Sequence, residues 1–353
     1  MKLRDKNWIF AKSAYIFFKN KILWLISLSW VFTAVYYALF SRAYIREQRA
    51  VVAGLNRHFT DLKNESSLFL LRRNVHRIEK GLVMPRRRPV FAKEYIGETV
   101  DYYNKCVSRY SEDQMPLEIT WSRNVLLSYF GAVESASEPL IDQAKESFFT
   151  IEKNRTLSQS IPYMRGEQPS PVSYNDLHRL VHQRKSTRTF LKKSVPRNLV
   201  DKAVEIASKA PSSCNRQPTH YRIYDEPELR KEMTLLPLGA AGFADNIPMI
   251  CALTGDLSAY FYERDRHSIY IDGCLSAMLF MLALETVGLA SCPLNWAEIN
   301  ELDRKFETKI GIPKHERVIM FIAIGYPDPE GHVAFSEKRD LDLLSSYNRV
   351  EKG

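Results

Sequence analysis

The sequence predicts an α+β chain with a mostly helical N-terminal region. Three observations carry this. Residues 42–80 and 92–155 hold few helix breakers and many charges, with apolar clusters such as Val125-Leu126-Leu127 and Phe148-Phe149. A stretch at 158–173 then gathers Pro162, Gly166, Pro169 and Pro171, which marks a linker. Beyond it, short β-branched apolar runs alternate with helical patterns. The expected organisation is a helical extension over 1–157, the linker over 158–173 and an α+β domain over 174–353.

The extension begins with an ambiguous apolar segment. Residues 22–41 carry no charge and reach the roughly 20-residue length of a membrane span. Ser27, Ser29, Thr33, Tyr36 and Tyr37 dilute its hydrophobicity. Trp8 to Lys21 is apolar with interleaved lysines, a pattern suited to an anionic membrane surface. Three placements are therefore open: a span, surface association through residues 8–41, or a helix buried against the α+β domain or a dimer partner. The late start of the apolar run argues against a cleaved signal peptide. Further on, His76 with Glu79 or Lys80 shares a helix face and reads as a structural polar cluster. Met84 to Pro89 breaks the helix with two prolines around three arginines.

In the second half, Tyr174–Arg184 reads as a helix capped by Ser173 or Asn175. Pro196–Lys209 is a second helix. His220–Tyr224 and Met249–Thr254 read as strands. Ile269–Val287 is apolar on all sides, so it should be a central helix, ended by Gly288. Ile299–Lys309 is another helix, and Val318–Ile324 is a buried strand.

Composition narrows the function classes. The 353 residues are 45% hydrophobic and 26% charged, as in an ordinary globular protein. The net charge of +9 lies largely near the N-terminus and in Arg86-Arg87-Arg88, with no nucleic-acid motif beside it. No nucleic-acid partner is expected. Five cysteines at wide spacings, with no CxxC pair, indicate neither a zinc site nor a disulfide framework. A reducing, cytoplasmic compartment fits. Cys214 and Cys292 read as small packing residues rather than nucleophiles.

Two segments carry the chemistry. Arg184 to Phe190 crowds three cations and several hydroxyls into seven residues. Ala210 to Pro218 is a polar loop after a helix. Together they suit a small anionic cofactor, with cations at its phosphate. In order, they resemble the Arg-x-Ser-x-Arg/Lys-x-Phe and Ala-Pro-Ser-Ser-x-Asn-x-Gln-Pro blocks of the nitroreductase family. Three later blocks extend the resemblance: Asp272-Gly273 with Gly288 to Pro293, Val318 to Pro327, and Lys338-Arg339.

The resemblance covers about Tyr174 to Tyr347 and implies a nitroreductase-like FMN-binding fold, usually built at a homodimer interface. It places Arg184 and Arg339 at the FMN phosphate, with Lys185 and Lys338 in the same basic set. An Arg fork can engage two phosphate oxygens. Ser186 would bond the phosphate or ribityl chain, and Arg188 the pyrimidine N1–C2 edge. Pro211, Ser212, Ser213 and Asn215 would line the ribityl and pyrimidine groups, supported by Gln217. Backbone amides of Asn295 and Trp296 would lie near flavin N5. A glycine is common in the family where Trp296 stands, so the indole is expected to narrow the substrate space. Asp272 reads as a helix-cap or dimer residue.

The implied activity is hydride transfer from NADH or NADPH, through the flavin, to a small nitroaromatic- or quinone-like acceptor by a ping-pong cycle. No metal and no protein nucleophile is expected. The same fold also supports dehalogenation, flavin fragmentation and substrate dehydrogenation. A non-catalytic, membrane-associated flavin-fold scaffold is a further alternative. The cations flanking residues 22–41 favour a cytoplasmic N-terminus. A single span would then export the flavin domain away from its cytosolic cofactors, so the expected location is cytoplasmic or peripheral at the membrane.

Overall fold

The computed structural model describes residues 15, 17–41, 43–64, 67–111, 114–135, 138–152, 160–348 and 350. The expected extension–linker boundary falls on 153–159, outside the described residues, as do residues 8–14 of the apolar segment.

Among the described residues the extension is mostly helical. Residues 17–27 form a helix. α1 (Trp30–Val35) follows and runs into a π-helical turn at Tyr36–Phe40. α2 (Ile45–Lys63) and α3 (Leu68–Leu82) come next, with the Ser67 Oγ accepting from the Leu70 N–H to cap α3. α4 (Ile96–Val107), α5 (Leu117–Ala132) and α6 (Pro139–Ile151) complete a bundle. Its core joins Val75, Ile78, Val100, Tyr129, Phe130 and Phe148, so this region has a hydrophobic centre of its own. Residues 160–173 are irregular and mostly exposed.

α7 (Tyr174–Gln183) opens the second half, capped by Ser173, and α8 (Arg197–Ala207) follows. A four-stranded antiparallel sheet then forms from β1 (Thr219–Tyr224), β2 (Met249–Asp256), β3 (Ala290–Asn295) and β4 (Glu316–Gly325), in the order β1-β2-β4-β3. β2 and β4 are central and buried along nearly their whole length, which explains their unbroken apolar runs. α9 (Pro227–Thr234) lies between β1 and β2. α10 (Ser268–Thr286) is the expected central helix and packs with α8 against the sheet. Its approach is close: a Cβ on Gly273 would sit 2.4 Å from Ile319 Cδ1, and one on Gly255 2.7 Å from Ile269 Cβ. α11 (Asn300–Ile310) ends at Gly311 in the left-handed region (φ 71°). α12 (Leu341–Leu344) lies in an exposed C-terminal arm.

The sequence patterns reproduce β1, β2, β4 and the helices that follow the linker, except α9 and α12. They assign no element to β3, whose run contains Pro293. β3 is an edge strand, where a proline is tolerated.

The extension docks onto the second half through α2 and α3. Gly54 of α2 lets the helix touch Leu257, whose Cβ would lie 2.8 Å from an added Cβ. His58 Nδ1–H donates to the Ser258 carbonyl (2.8 Å). Arg46 pairs with Asp303 (3.0 Å) and with Glu307.

Candidate functional site

The strip Arg184–Phe190 runs from the C-cap of α7 along the β3 edge of the sheet. Ser186 bridges Ser291 in parallel, and the Thr187 N–H donates to the Ser291 carbonyl (3.1 Å). Asn246 fixes the far end, accepting from the Phe190 N–H (2.6 Å) and donating to its carbonyl (2.9 Å). Arg184, Lys185 and Ser186 are half-buried, Thr187 is buried and Arg188 is exposed. Burial pushes the Cys292 thiol above its ordinary value, while Arg188, Ser186 and Arg184 pull it back. Among the described residues no carboxylate forms an ion pair with Arg184, Lys185 or Arg188, so the strip keeps its positive charge. The buried Ser291 Oγ beside it has no hydrogen-bond partner among the described residues.

The loop Ala210–Pro218 is held in an unusual backbone. Cys214, Asn215 and Gln217 have φ of 51°, 52° and 51°, in the left-handed region. Four bonds keep it there. Ser212 Oγ accepts from the Gln217 N–H (3.0 Å). Asp272 Oδ2 accepts from the Ser213 N–H (3.0 Å) and from the Tyr260 hydroxyl (3.1 Å). Arg216 donates to the Ser213 carbonyl (3.1 Å). Arg72 of α3 donates to the Asn215 carbonyl (3.0 Å), and its other end pairs with Glu118 (2.8 Å). Burial raises the Asp272 carboxyl above its ordinary value, opposed by the Ser213 N–H, Tyr260 and Arg216. Gln217 Nε2 donates to Asn215 Oδ1 (2.8 Å), in keeping with a supporting role.

One chain does not bring these two segments together. Asp272 stands in the first turns of α10, whereas Gln183, next to Arg184, reaches Glu285 in its last turn. Thirteen residues of helix separate the two anchors, about 20 Å. The sheet agrees: the loop leads into β1 at one edge, and the strip lies on β3 at the other.

Asn295 ends β3 opposite Met320 with its side chain exposed. Trp296 departs from expectation. Its indole is 5% exposed, packs on Phe321 and donates to Asp303 Oδ1 (2.8 Å). It fills the core between sheet and α11, so the indole does not narrow a pocket. Lys338 and Arg339 are exposed on the C-terminal arm, and among the described residues neither forms a hydrogen bond or ion pair to the 184–188 strip. His76 bonds Glu79 (3.2 Å), which accepts from the Trp121 indole (2.9 Å), a structural polar cluster as expected.

The description of the nitroreductase family matches residues 181–241 and 233–326, the stretch that holds both segments, α10 and the sheet. The C-terminal half is a nitroreductase-family domain. Among similar proteins, an NADH dehydrogenase/NAD(P)H nitroreductase of Archaeoglobus fulgidus is 25% identical over 160 residues, 43% of this chain and 86% of that one. Iodotyrosine deiodinase 1 of Homo sapiens is 19% identical over 238 residues, 58% of this chain and 80% of that one. The solved FMN-dependent nitroreductase of Clostridium difficile is 20% identical, with a TM-score of 0.42 over 48% of this chain and 98% of that one. The family match begins at residue 181, so α3, whose Arg72 holds the Asn215 carbonyl, lies outside it. Arg72 and Tyr260 escaped the sequence reading. Arg72 lies 143 residues from its partner, and no local pattern connects them.

Proposed function

We propose that the protein is an FMN-dependent oxidoreductase that works as a homodimer, with each flavin site shared between two copies. The observation that carries this is the placement of the two segments at opposite ends of α10. α10 also exposes Ile271 (60%), Leu275 (46%) and Met278 (37%) at helical spacing, although its other faces are core. Two copies packed antiparallel along this stripe set the 184–188 strip of one beside the 211–217 loop of the other. The exposed C-terminal arm, with Phe335, Leu341 and Leu344 uncovered, is suited to reach a second copy.

The donor set fits FMN. Arg184 and Lys185, joined by Lys338 and Arg339 on the arm, would hold the phosphate. Ser186 would bond the phosphate or ribityl chain, with the unpartnered Ser291 Oγ behind it. Arg188 would face the N1–C2 edge, where a fixed cation favours negative charge on the reduced ring. Pro211, Ser212, Ser213, Asn215 and Gln217 would close the other side, and the backbone of Asn295 and Trp296 would face N5. When bound, FMN supplies two-electron chemistry, taking a hydride from NADH or NADPH and reducing a small nitroaromatic or quinone in a ping-pong cycle. The protein's part is to bind, orient and exclude water. That chemistry would draw on cytoplasmic cofactors, which supports a cytoplasmic or peripheral location.

The absorption spectrum of the purified protein tests this. A yellow protein bleached by NADH or NADPH supports the reading. A colourless protein that FMN cannot reconstitute contradicts it. A second reading, reductive dehalogenation of an aromatic substrate, is favoured by the deiodinase alignment, which spans 58% of the chain against 43% for the nitroreductase. Iodide released from iodotyrosine by the dithionite-reduced protein, without turnover of nitroaromatics, would select it.

A further inference from the structure

We propose that residues 17–40 seat the protein in a lipid bilayer. The segment is not buried against the chain: Trp24 (60%), Leu25 (55%), Leu28 (63%), Trp30 (83%), Phe32 (61%) and Phe40 (76%) are all exposed. This overturns the buried-helix placement within one chain. The apolar side chains do not form one stripe. Leu23, Trp24 and Leu25 are consecutive, about 100° apart around the helix, so they point to different sides. A helix that is apolar all round is stable in a protein core or in lipid, and among the described residues no core covers it.

The polar residues that dilute the segment are satisfied internally. Ser27 Oγ donates to the Trp24 carbonyl (2.7 Å). Thr33 Oγ1 lies within 3.1 Å of both the Ile26 and Ser29 carbonyls. Ser29 Oγ accepts from the Val31 N–H (3.3 Å). The backbone groups freed by the break at Leu28–Ser29 are thus taken up by side chains of the same segment. Hydrocarbon requires such internal pairing, whereas water would make it unnecessary.

Charge selects the partner. No aspartate or glutamate lies between Asp5 and Glu47. Lys19 and Lys21 stand exposed at one end, over the rings of Tyr15 (5.6 Å) and Phe17 (4.6 Å), an arrangement suited to anionic headgroups. At the other end Arg46 is occupied by Asp303 and Glu307, so the anchor is fastened to the nitroreductase domain.

The test uses the full-length protein and vesicles of phosphatidylcholine with phosphatidylglycerol. The expected result is cosedimentation that survives high salt, with a blue shift of tryptophan emission. The double variant Leu25→Glu, Phe32→Glu should stay in the supernatant while keeping the wild-type helical circular dichroism and unfolding transition. Three results would overturn the proposal: wild-type protein left in the supernatant, binding that salt abolishes without a spectral shift, or a lipid-free oligomer that shields Trp24 and Trp30 instead.

Discussion

Asn215 owes its place to an arginine in another region of the chain. Left-handed backbone at non-glycine residues costs roughly 1–2 kcal/mol each, less for Asn, and three such residues fall within Cys214–Gln217. Asp272 and Arg72 offset that cost by holding the loop from two sides. A hydrogen bond from a charged donor is worth about 1.5–3 kcal/mol. Replacing Arg72 by Ala should therefore speed amide exchange across 212–217 and weaken FMN binding about tenfold. Unchanged exchange in the apo protein would contradict the clamp independently of any flavin. At this scale spacing was enough to group Arg184, Ser186 and Arg188 on one strip, because they are close in the chain. It was not legible for Arg72, whose partner is distant, nor for Trp296, whose direction depends on how β3 ends against α11.

Among the elements, α10 sets the geometry of the site. It anchors the loop near its start and the strip near its end, and glycines let it lie close on the sheet. Gly255→Ala would put a Cβ against the rigid Ile269 Cβ at 2.7 Å. That overpacking should cost about 1–3 kcal/mol, read as a lowered unfolding midpoint in calorimetry. Gly239→Ala, whose nearest neighbour would be Leu294 Cδ2 at 3.5 Å, should cost less. An equal loss in both would argue against a packing origin. Apolar periodicity located α10, β2 and β4 because burial on all sides leaves an unbroken run. The same uniformity hid which face of α10 stays exposed, since Ile271 and Leu275 look no different in sequence from the buried Phe280 and Leu284.

For the whole molecule, the seam between extension and domain is the feature composition could not foretell. His58 sits in it, with burial, Arg216 and Arg73 lowering its pKa below the ordinary 6.5, and with Ser258 and Asp61 opposing. Its Nε2 has no partner among the described residues, so protonation would bury an unpaired N–H. The sign follows from the lowered value: the unfolded chain binds the proton more tightly. The contribution is whole above pH 6.5 and is lost as pH falls from there toward the folded pKa. The unfolding midpoint should drop as pH falls below 6.5, and His58→Leu should flatten that slope. A slope unchanged in the variant would assign the acid sensitivity elsewhere.

The central claim is a flavin site shared between copies, and inter-subunit complementation tests it most directly. Arg184→Ala removes the phosphate cation of the strip, and Asp272→Ala releases the loop. Each variant alone should hold little FMN. Coexpressed, they should form mixed dimers in which one site is intact, so flavin absorbance and FMN content recover. A mixture that binds no more FMN than the two variants prepared separately would contradict the shared site.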